Sequence, residues 1–319
     1  MTTEPLVEVV IVTYNHKDYI AQALDSVLMQ QTSFNYKIVV GDDCSTDGTI
    51  NILKEYEKKF PDKIKVIYQE KNLGPYHPDR NIVVMLNNAE AKYVALLDGD
   101  DYWTDPLKLQ KQVDFLEINP GFTMCFHNTL IKREYTVTDN KTEALFNHKM
   151  TKTVFEMVDV AHTWIGHTSS LVFVRKSILP LPEWFKRCFS GDLTIISLLA
   201  GNGSLKYLDF TGSVYRLNDG GVSRRYHGRF LIEGKIEMYQ LIDKHFNYKY
   251  TKIISPILGK YYFYIVPINI HAFEFKKAVG NFYTAIKLKP LGIFSDLQLF
   301  NLLKIQVKKL YSSAFKPKK

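Results

Sequence analysis

Cysteine is scarce in this 319-residue sequence: Cys44, Cys125 and Cys188 are the only three, and no two of them form a C-x-x-C pair. That excludes a disulfide framework and a cysteine-based zinc site, and it fits a reducing, intracellular setting. Long apolar runs are also missing. The best candidate, 261–273, is thirteen uncharged residues interrupted by Pro267, Asn269 and His271. A membrane-crossing helix needs about 20 apolar residues, so no transmembrane helix is expected. The first residues, Met1 to Glu8, hold two acids and no positive charge, which does not read as a secretory signal. A cytoplasmic protein is the expectation.

Hydrophobic residues make up 46% and charged residues 23% of the chain, enough for a large core and incompatible with disordered or collagen-like classes. Forty-one Lys and Arg against 33 Asp and Glu give a net charge of +8, and 304–319 alone holds six lysines and no acid. Such a tail is suited to an anionic membrane surface at about 1 kcal/mol per well-placed lysine. It serves equally as a solvated terminus.

Residues 6–128 alternate short β-branched runs with helically spaced ones. Val7 to Val12, Tyr36 to Val40, Ile64 to Tyr68 and Tyr93 to Leu97 read as strands. Ile20, Ala23, Leu24, Val27 and Leu28 share a helical face, Ser45-Thr46-Asp47 starts a second helix, and a third begins near Asp79. Parallel strands need crossover helices, so this order predicts an α/β body with a mostly parallel central sheet flanked by helices. Further on, Thr168 to Arg175 and Ser204 to Leu208 read as strands and Leu193 to Ala200 as a helix. This places an α/β body at 1–225 and a mainly helical C-terminal region at 226–319, with breaks expected at Pro256, Pro267 and Pro290.

Ligands of such sheets sit beyond the carboxyl ends of the strands. The first crossover reads Thr13-Tyr14-Asn15-His16-Lys17; it lacks the G-x-G-x-x-G of a dinucleotide site, so NAD and FAD are not expected. Acids cluster where the second and fourth strands end, in Val39-Val40-Gly41-Asp42-Asp43 and Leu96-Leu97-Asp98-Gly99-Asp100-Asp101. One strand-end Asp-Gly is commonly a turn. Three carboxylates within four residues repel one another and call for a cation or a solvated mouth. The matching ion is hard and oxygen-seeking, Mg²⁺ or Mn²⁺, with diphosphate oxygens completing its shell.

These residues resemble the inverting nucleotide-sugar glycosyltransferases of family 2, of GT-A fold and bacterial polysaccharide-biosynthesis type. The resemblance runs through Val9-Val10-Ile11-Val12-Thr13-Tyr14-Asn15, then Asp42-Asp43-Cys44-Ser45-Thr46-Asp47-Gly48-Thr49, Asn72-Leu73-Gly74 with Arg80-Asn81, and Leu97-Asp98-Gly99-Asp100-Asp101. It spans roughly the first 110 residues in order and spacing. It implies a nucleotide-sugar site lined by Thr13, Tyr14 and Asn15, with Asp43 accepting the uracil N–H and Arg80 holding base or diphosphate. Asp98 and Asp100 match the D-x-D pair, the first nearer the ribose and the second on the metal, and Asp101 is available for either role. Arg80 is otherwise an ordinary residue at a helix start.

Ser190-Gly191-Asp192 resembles the family's segment carrying the general base, which implies that role for Asp192; capping the helix is its plain alternative. Val214-Tyr215-Arg216-Leu217-Asn218 departs from the family, which often has histidine where Asn218 stands. Asn218, Asp219, His227 or water are the candidates for that metal position. Cys44 replaces a more usual glycine, and a small core residue is expected there. Trp164, in His162-Thr163-Trp164-Ile165-Gly166-His167, either stacks on a sugar or simply packs; the two histidines do not form an H-E-x-x-H helix.

The implied reaction moves a sugar from a nucleotide-diphosphate donor, UDP-sugar first, to an acceptor hydroxyl of a glycan or lipid-linked glycan, with inversion. Two other classes stand beside it. A nucleotidyltransferase would carry a glycine-rich basic loop after the first strand, and Thr13 to Lys17 has no glycine. A non-catalytic polyanion or membrane-surface binder would use the +8 charge and leave the aspartates dispensable. No nucleic-acid partner is expected.

Overall fold

The computed structural model describes residues 4–75, 77, 79–134, 143–146, 150–218 and 228–288. The chain divides into two compact units, 1–222 and 223–319.

The first unit starts as alternating strand and helix: β1 (Val7–Thr13), α1 (Ile20–Leu28), β2 (Tyr36–Asp42), α2 (Thr49–Lys59), β3 (Ile64–Tyr68), α3 (Asn81–Asn87) and β4 (Tyr93–Asp98). A short β5 (Tyr102–Trp103), α4 (Lys108–Ile118), the long β6 (Phe122–Glu134) and the short pieces β7 (Glu143–Leu145), β8 (Val154–Phe155) and α5 (Met157–Val160) follow. The unit closes with β9 (Val172–Val174), α6 (Gly191–Asn202) and β10 (Ser204–Asn218).

Among the described residues, ten strands form one sheet with the path β3-β2-β1-β4-β9-β6-β10-β5, while β7 pairs with β6 and β8 with β10. The pairs β3–β2, β2–β1, β1–β4 and β6–β10 are parallel, and β9 runs antiparallel to both β4 and β6. Val7, Val9, Val10 and Ile11 of β1 and Tyr93 through Leu97 of β4 are buried on both faces. Doubly covered parallel strands therefore read as continuous apolar runs. Ile20, Ala23, Leu24 and Val27 of α1 pack into the same core as Val9, Ile11, Ile38 and Val40. Chain order reverses at β1, between β2 and β4, which opens a crevice at the carboxyl ends of these strands.

Two sequence expectations change in this unit. The strand expected over 168–175 is a 3₁₀ turn, Thr168–Ser170, followed by only three residues of β9. There His167 caps the turn by accepting the Ser169 N–H, local bonding that competes with a ladder. β10 runs through Asn218, well past Leu208, because it follows β6 along its length with register shifts that absorb the irregular stretch 208–213.

The second unit contains α7 (Arg229–His245), α8 (Thr251–His271) and α9 (Phe275–Leu288). Pro256 and Pro267 break nothing and lie inside α8. Each removes one backbone bond, and packing of Phe263 against Ala285 of α9 helps keep the helix continuous. At 21 residues, α8 is long and apolar enough, by length and composition only, to cross a membrane; the expectation of no such helix rested on the thirteen uncharged residues 261–273, interrupted by Pro267, Asn269 and His271. Nearly half of its apolar stretch is buried within the protein. Pro290 lies outside the described residues.

Candidate functional site

Register places the candidate residues side by side at one end of the sheet. Thr13 lies opposite Asp42 and Val12 opposite Asp98. Backbone bonds continue past the strands, with the Gly99 N–H donating to Val12 O at 2.9 Å and the Asp43 N–H to Thr13 O at 2.9 Å.

The loop after β1 is laced to the loop after β2. Asn15, at φ 55°, accepts the Thr46 N–H on Oδ1 at 2.8 Å, and its own N–H donates to Ser45 Oγ at 2.9 Å. The His16 N–H donates to Thr49 Oγ1 and the Lys17 N–H to Asp47 Oδ2, both at 2.9 Å. Asn15 thus shapes the pocket wall, while Tyr14 is exposed beside it. Cys44 is half-buried, at φ 63°, and not the core residue expected from its size. The left-handed backbone explains why glycine would suit this position.

Asp43 is buried, and its carboxylate gathers the 72–74 loop. Oδ1 accepts the Leu73 N–H at 2.9 Å, and Oδ2 accepts the Gly74 N–H at 2.9 Å and Asn72 Nδ2–H at 3.0 Å. Arg80 is buried as well, which sets aside an ordinary surface role. Its Nη1 donates to Lys186 O at 3.2 Å and Nη2 to Phe185 O at 3.4 Å, tying the 72–80 stretch to the segment that leads into α6.

The D-x-D turn is pinned from two sides. His16 and Thr13 share a hydrogen bond of 3.2 Å, and His16 Nε2 stands 3.9 Å from Asp100 Oδ2. Asn218 Nδ2–H donates to the same oxygen at 3.0 Å, and Arg216 Nη1–H donates to Asp100 O at 2.5 Å. The Arg216 guanidinium lies between Tyr19 and Tyr102, 5.1 and 4.4 Å from their ring centres, with Gln22 Oε1 accepting from Nη2. Burial, then the neighbouring Asp100 and Asp192, raises the Asp98 carboxyl above the ordinary carboxylate range. The charge of Asp192 thus acts on Asp98.

Asp101, named from sequence as a further metal-side carboxylate, is fully buried and turned toward β10. Its Oδ1 accepts the Arg216 N–H at 2.8 Å, and Oδ2 faces His167 Nδ1 at 3.7 Å. Burial first, then Asp100 and Asp98, pushes it well up, while burial holds His167 down to about 3. His167 stacks on Tyr215 at 3.9 Å and Trp164 meets Phe146 edge-on at 5.1 Å, so Trp164 packs and is also partly exposed.

Ser190 occupies the cap position of α6, which Asp192 was a candidate to fill. Asp192 stands in the first turn, where Ser190 Oγ–H donates to its Oδ1 at 2.7 Å. Asp219 and His227 lie outside the described residues. Among the described residues, no three His, Cys, Asp or Glu side chains form a ready metal cage. The contributions of His16, Asn72 and Ser190 were missed by sequence reasoning. His16 carried one usable signal, its place three residues beyond the strand-end Thr13.

The sequence profile described as Glycosyl transferase family 2 matches residues 8–173, just over half of the chain. The chain belongs to this family. It is 33% identical over 133 residues to the UDP-Glc:alpha-D-GlcNAc-diphosphoundecaprenol beta-1,3-glucosyltransferase WfaP of Escherichia coli, covering 42% of this chain and 49% of WfaP. It spans less than half the length of WfaP and of other curated relatives it matches. In structure it resembles Staphylococcus aureus TarS, solved as residues 1–349 with UDP-GlcNAc, at a TM-score of 0.60 and 20% identity, covering 89% of this chain and 81% of that one. The mannosyltransferase PcManGT of Pyrobaculum calidifontis, solved with GDP-Man and Mn²⁺, aligns at a TM-score of 0.51 and 17% identity, covering 98% and 82%. At these identities the likeness concerns the fold, which is GT-A.

Proposed function

We propose that this chain transfers a sugar from a nucleoside-diphosphate donor, a UDP-sugar, to a hydroxyl of a glycan or lipid-linked glycan acceptor, with inversion at the anomeric carbon. The setting is bacterial surface-polysaccharide synthesis in the cytoplasm, at the inner face of the membrane. Residues 1–225 form the catalytic domain, and 226–319 a helical region with a basic tail. The activity of WfaP, on UDP-Glc and a diphosphoundecaprenol-linked sugar, supports the donor and acceptor classes. The observation that carries the reading is the strand register that sets Thr13, Asp42-Asp43 and the D-x-D turn side by side at one end of the sheet, with the charge of Asp192, in the first turn of α6, acting on Asp98.

Thr13, Tyr14, Asn15, Asp43 and Arg80 line the donor site in this reading, with Asp98 toward the ribose. A divalent cation suits the remaining donors, because Asp98 and Asp100 are carboxylates whose mutual repulsion an ion would relieve. Asp100 and Asp98 would hold it, with Asn218 alongside and Asp101 supporting β10 from behind. When bound, Mn²⁺ or Mg²⁺ neutralises charge on the leaving diphosphate.

Asp192 takes the proton of the acceptor hydroxyl as its oxygen bonds to the anomeric carbon. The bond from that carbon to the phosphate oxygen breaks, and the diphosphate leaves with the electron pair. The Ser190 hydroxyl holds Asp192 Oδ1, which leaves Oδ2 for the acceptor. A positioned base contributes roughly 10²–10⁴-fold. Asp192→Asn is expected to keep the fold and UDP affinity and to lose transfer by at least ~10²-fold. Undiminished turnover in that variant would remove Asp192 as the base.

A further inference from the structure

Helix α9 packs through small residues and turns its large ones outward. Ala278 and Ala285 are buried, whereas Phe275, Val279, Phe282 and Tyr283 are 58, 68, 38 and 70% exposed. At about 100° per residue these four occupy one arc of roughly 100° on the helix. Phe273, 77% exposed just before the helix, meets Phe275 edge-on at 6.3 Å between ring centres. A helix of a water-soluble body buries its apolar stripe, and an exposed one marks an interaction surface.

The charges around this face are of one sign. Lys276 and Lys287 fall just beyond the edge of the arc and are exposed. Glu274 is the sole acid between residues 272 and 288. It is already engaged, accepting from Arg229 Nη2 at 2.6 Å and Lys277 Nζ at 3.0 Å. The sequence that follows, 289–319, adds seven lysines against one aspartate. A second copy of this face would bring lysines against lysines.

The geometry points to an anionic lipid bilayer as the occupant of the α9 face. Aromatic rings settle at the boundary between headgroups and acyl chains while flanking ammonium groups meet lipid phosphates, the arrangement of an in-plane amphipathic helix. The attachment is independent of the chemistry at the aspartates. It supplies contact by apolar insertion, so charge alone does not carry the binding.

Co-sedimentation of the full chain with vesicles tests this. Vesicles of phosphatidylcholine mixed with phosphatidylglycerol are compared with phosphatidylcholine alone, for wild type and for Phe275→Ser/Val279→Ser/Tyr283→Ser. The wild type is expected to partition at least ~10-fold more strongly onto the anionic vesicles, and the variant to lose at least ~10-fold of that binding at unchanged melting temperature. A second variant, Tyr283→Asp, is expected to lose binding in the same direction from one exposed position. Wild type left in the supernatant, or a triple variant that sediments like wild type, overturns the inference. So does a melting temperature lowered by several degrees, which would mean that the chain itself covers the face. Loss of a dimer in the triple variant would assign the face to a second copy instead.

Discussion

Gly99 leaves no room for a side chain. A Cβ there would stand 2.7 Å from Thr13 Oγ1 and 2.9 Å from His16 Nδ1, contacts that real Cβ atoms do not make. The glycine of the D-x-D turn therefore lets the loop after β1 close onto the turn after β4. Gly99→Ala is expected to cost about 1–3 kcal/mol of stability as Thr13 and His16 are forced aside, and to weaken UDP binding roughly tenfold or more, about 1.4 kcal/mol. Thermal unfolding and titration calorimetry measure the two effects. A variant with wild-type affinity would show that His16 and Thr13 do not shape the donor site. At this scale the sequence singled out Asp43, Asp98 and Asp192 as candidates by residue type alone. It was silent where backbone conformation decides. Cys44 looked like a small core residue because φ cannot be read from a residue type that seldom adopts the left-handed region.

At the level of elements, α4 carries an unusual burden. Lys108, in its first turn, is fully buried with Nζ unpaired by any hydrogen bond, 4.0 Å from the centre of the Trp103 ring. Burial holds its ammonium down to about 7. An unfolded lysine titrates near 10.4, so between those values the unfolded chain binds more protons and stability rises with pH. Lys108→Met is therefore expected to stabilise the protein at pH 7 by about 2 kcal/mol, since well-packed apolar replacements of buried charge commonly gain 1–4 kcal/mol. The advantage shrinks as pH approaches 10. Melting temperatures of both proteins across that range test it, and a gain that does not shrink would mean that Lys108 is not a buried titrating group. Strands β1 to β4 were legible because their β-branched runs are separated by helical spacing. β9 and β10 were legible only in part, within 168–175 and from Ser204 on, since the 3₁₀ turn at Thr168–Ser170 and the register shifts along β6 arise from partners far away in sequence. The prolines of α8 misled for the converse reason, tertiary packing overriding a local rule.

At the scale of the molecule, the ten-stranded sheet of the described residues brings the loops after β1, β2 and β4 to the crevice beside β1, and the charge of Asp192 at the start of α6 acts on Asp98 there. Membership in the family follows from the profile match, and the GT-A fold from the structural likeness. In the proposed reaction the D-x-D turn holds a nucleoside diphosphate together with a divalent cation. Calorimetric titration of UDP into the purified full chain, with and without Mn²⁺ and in parallel with Asp100→Asn, tests it most directly. The account predicts binding that strengthens at least tenfold, about 1.4 kcal/mol, when Mn²⁺ is present, and that loses this gain in Asp100→Asn while GDP and dTDP bind more weakly. UDP affinity that is the same with and without the cation, or no UDP binding by folded protein, would contradict it.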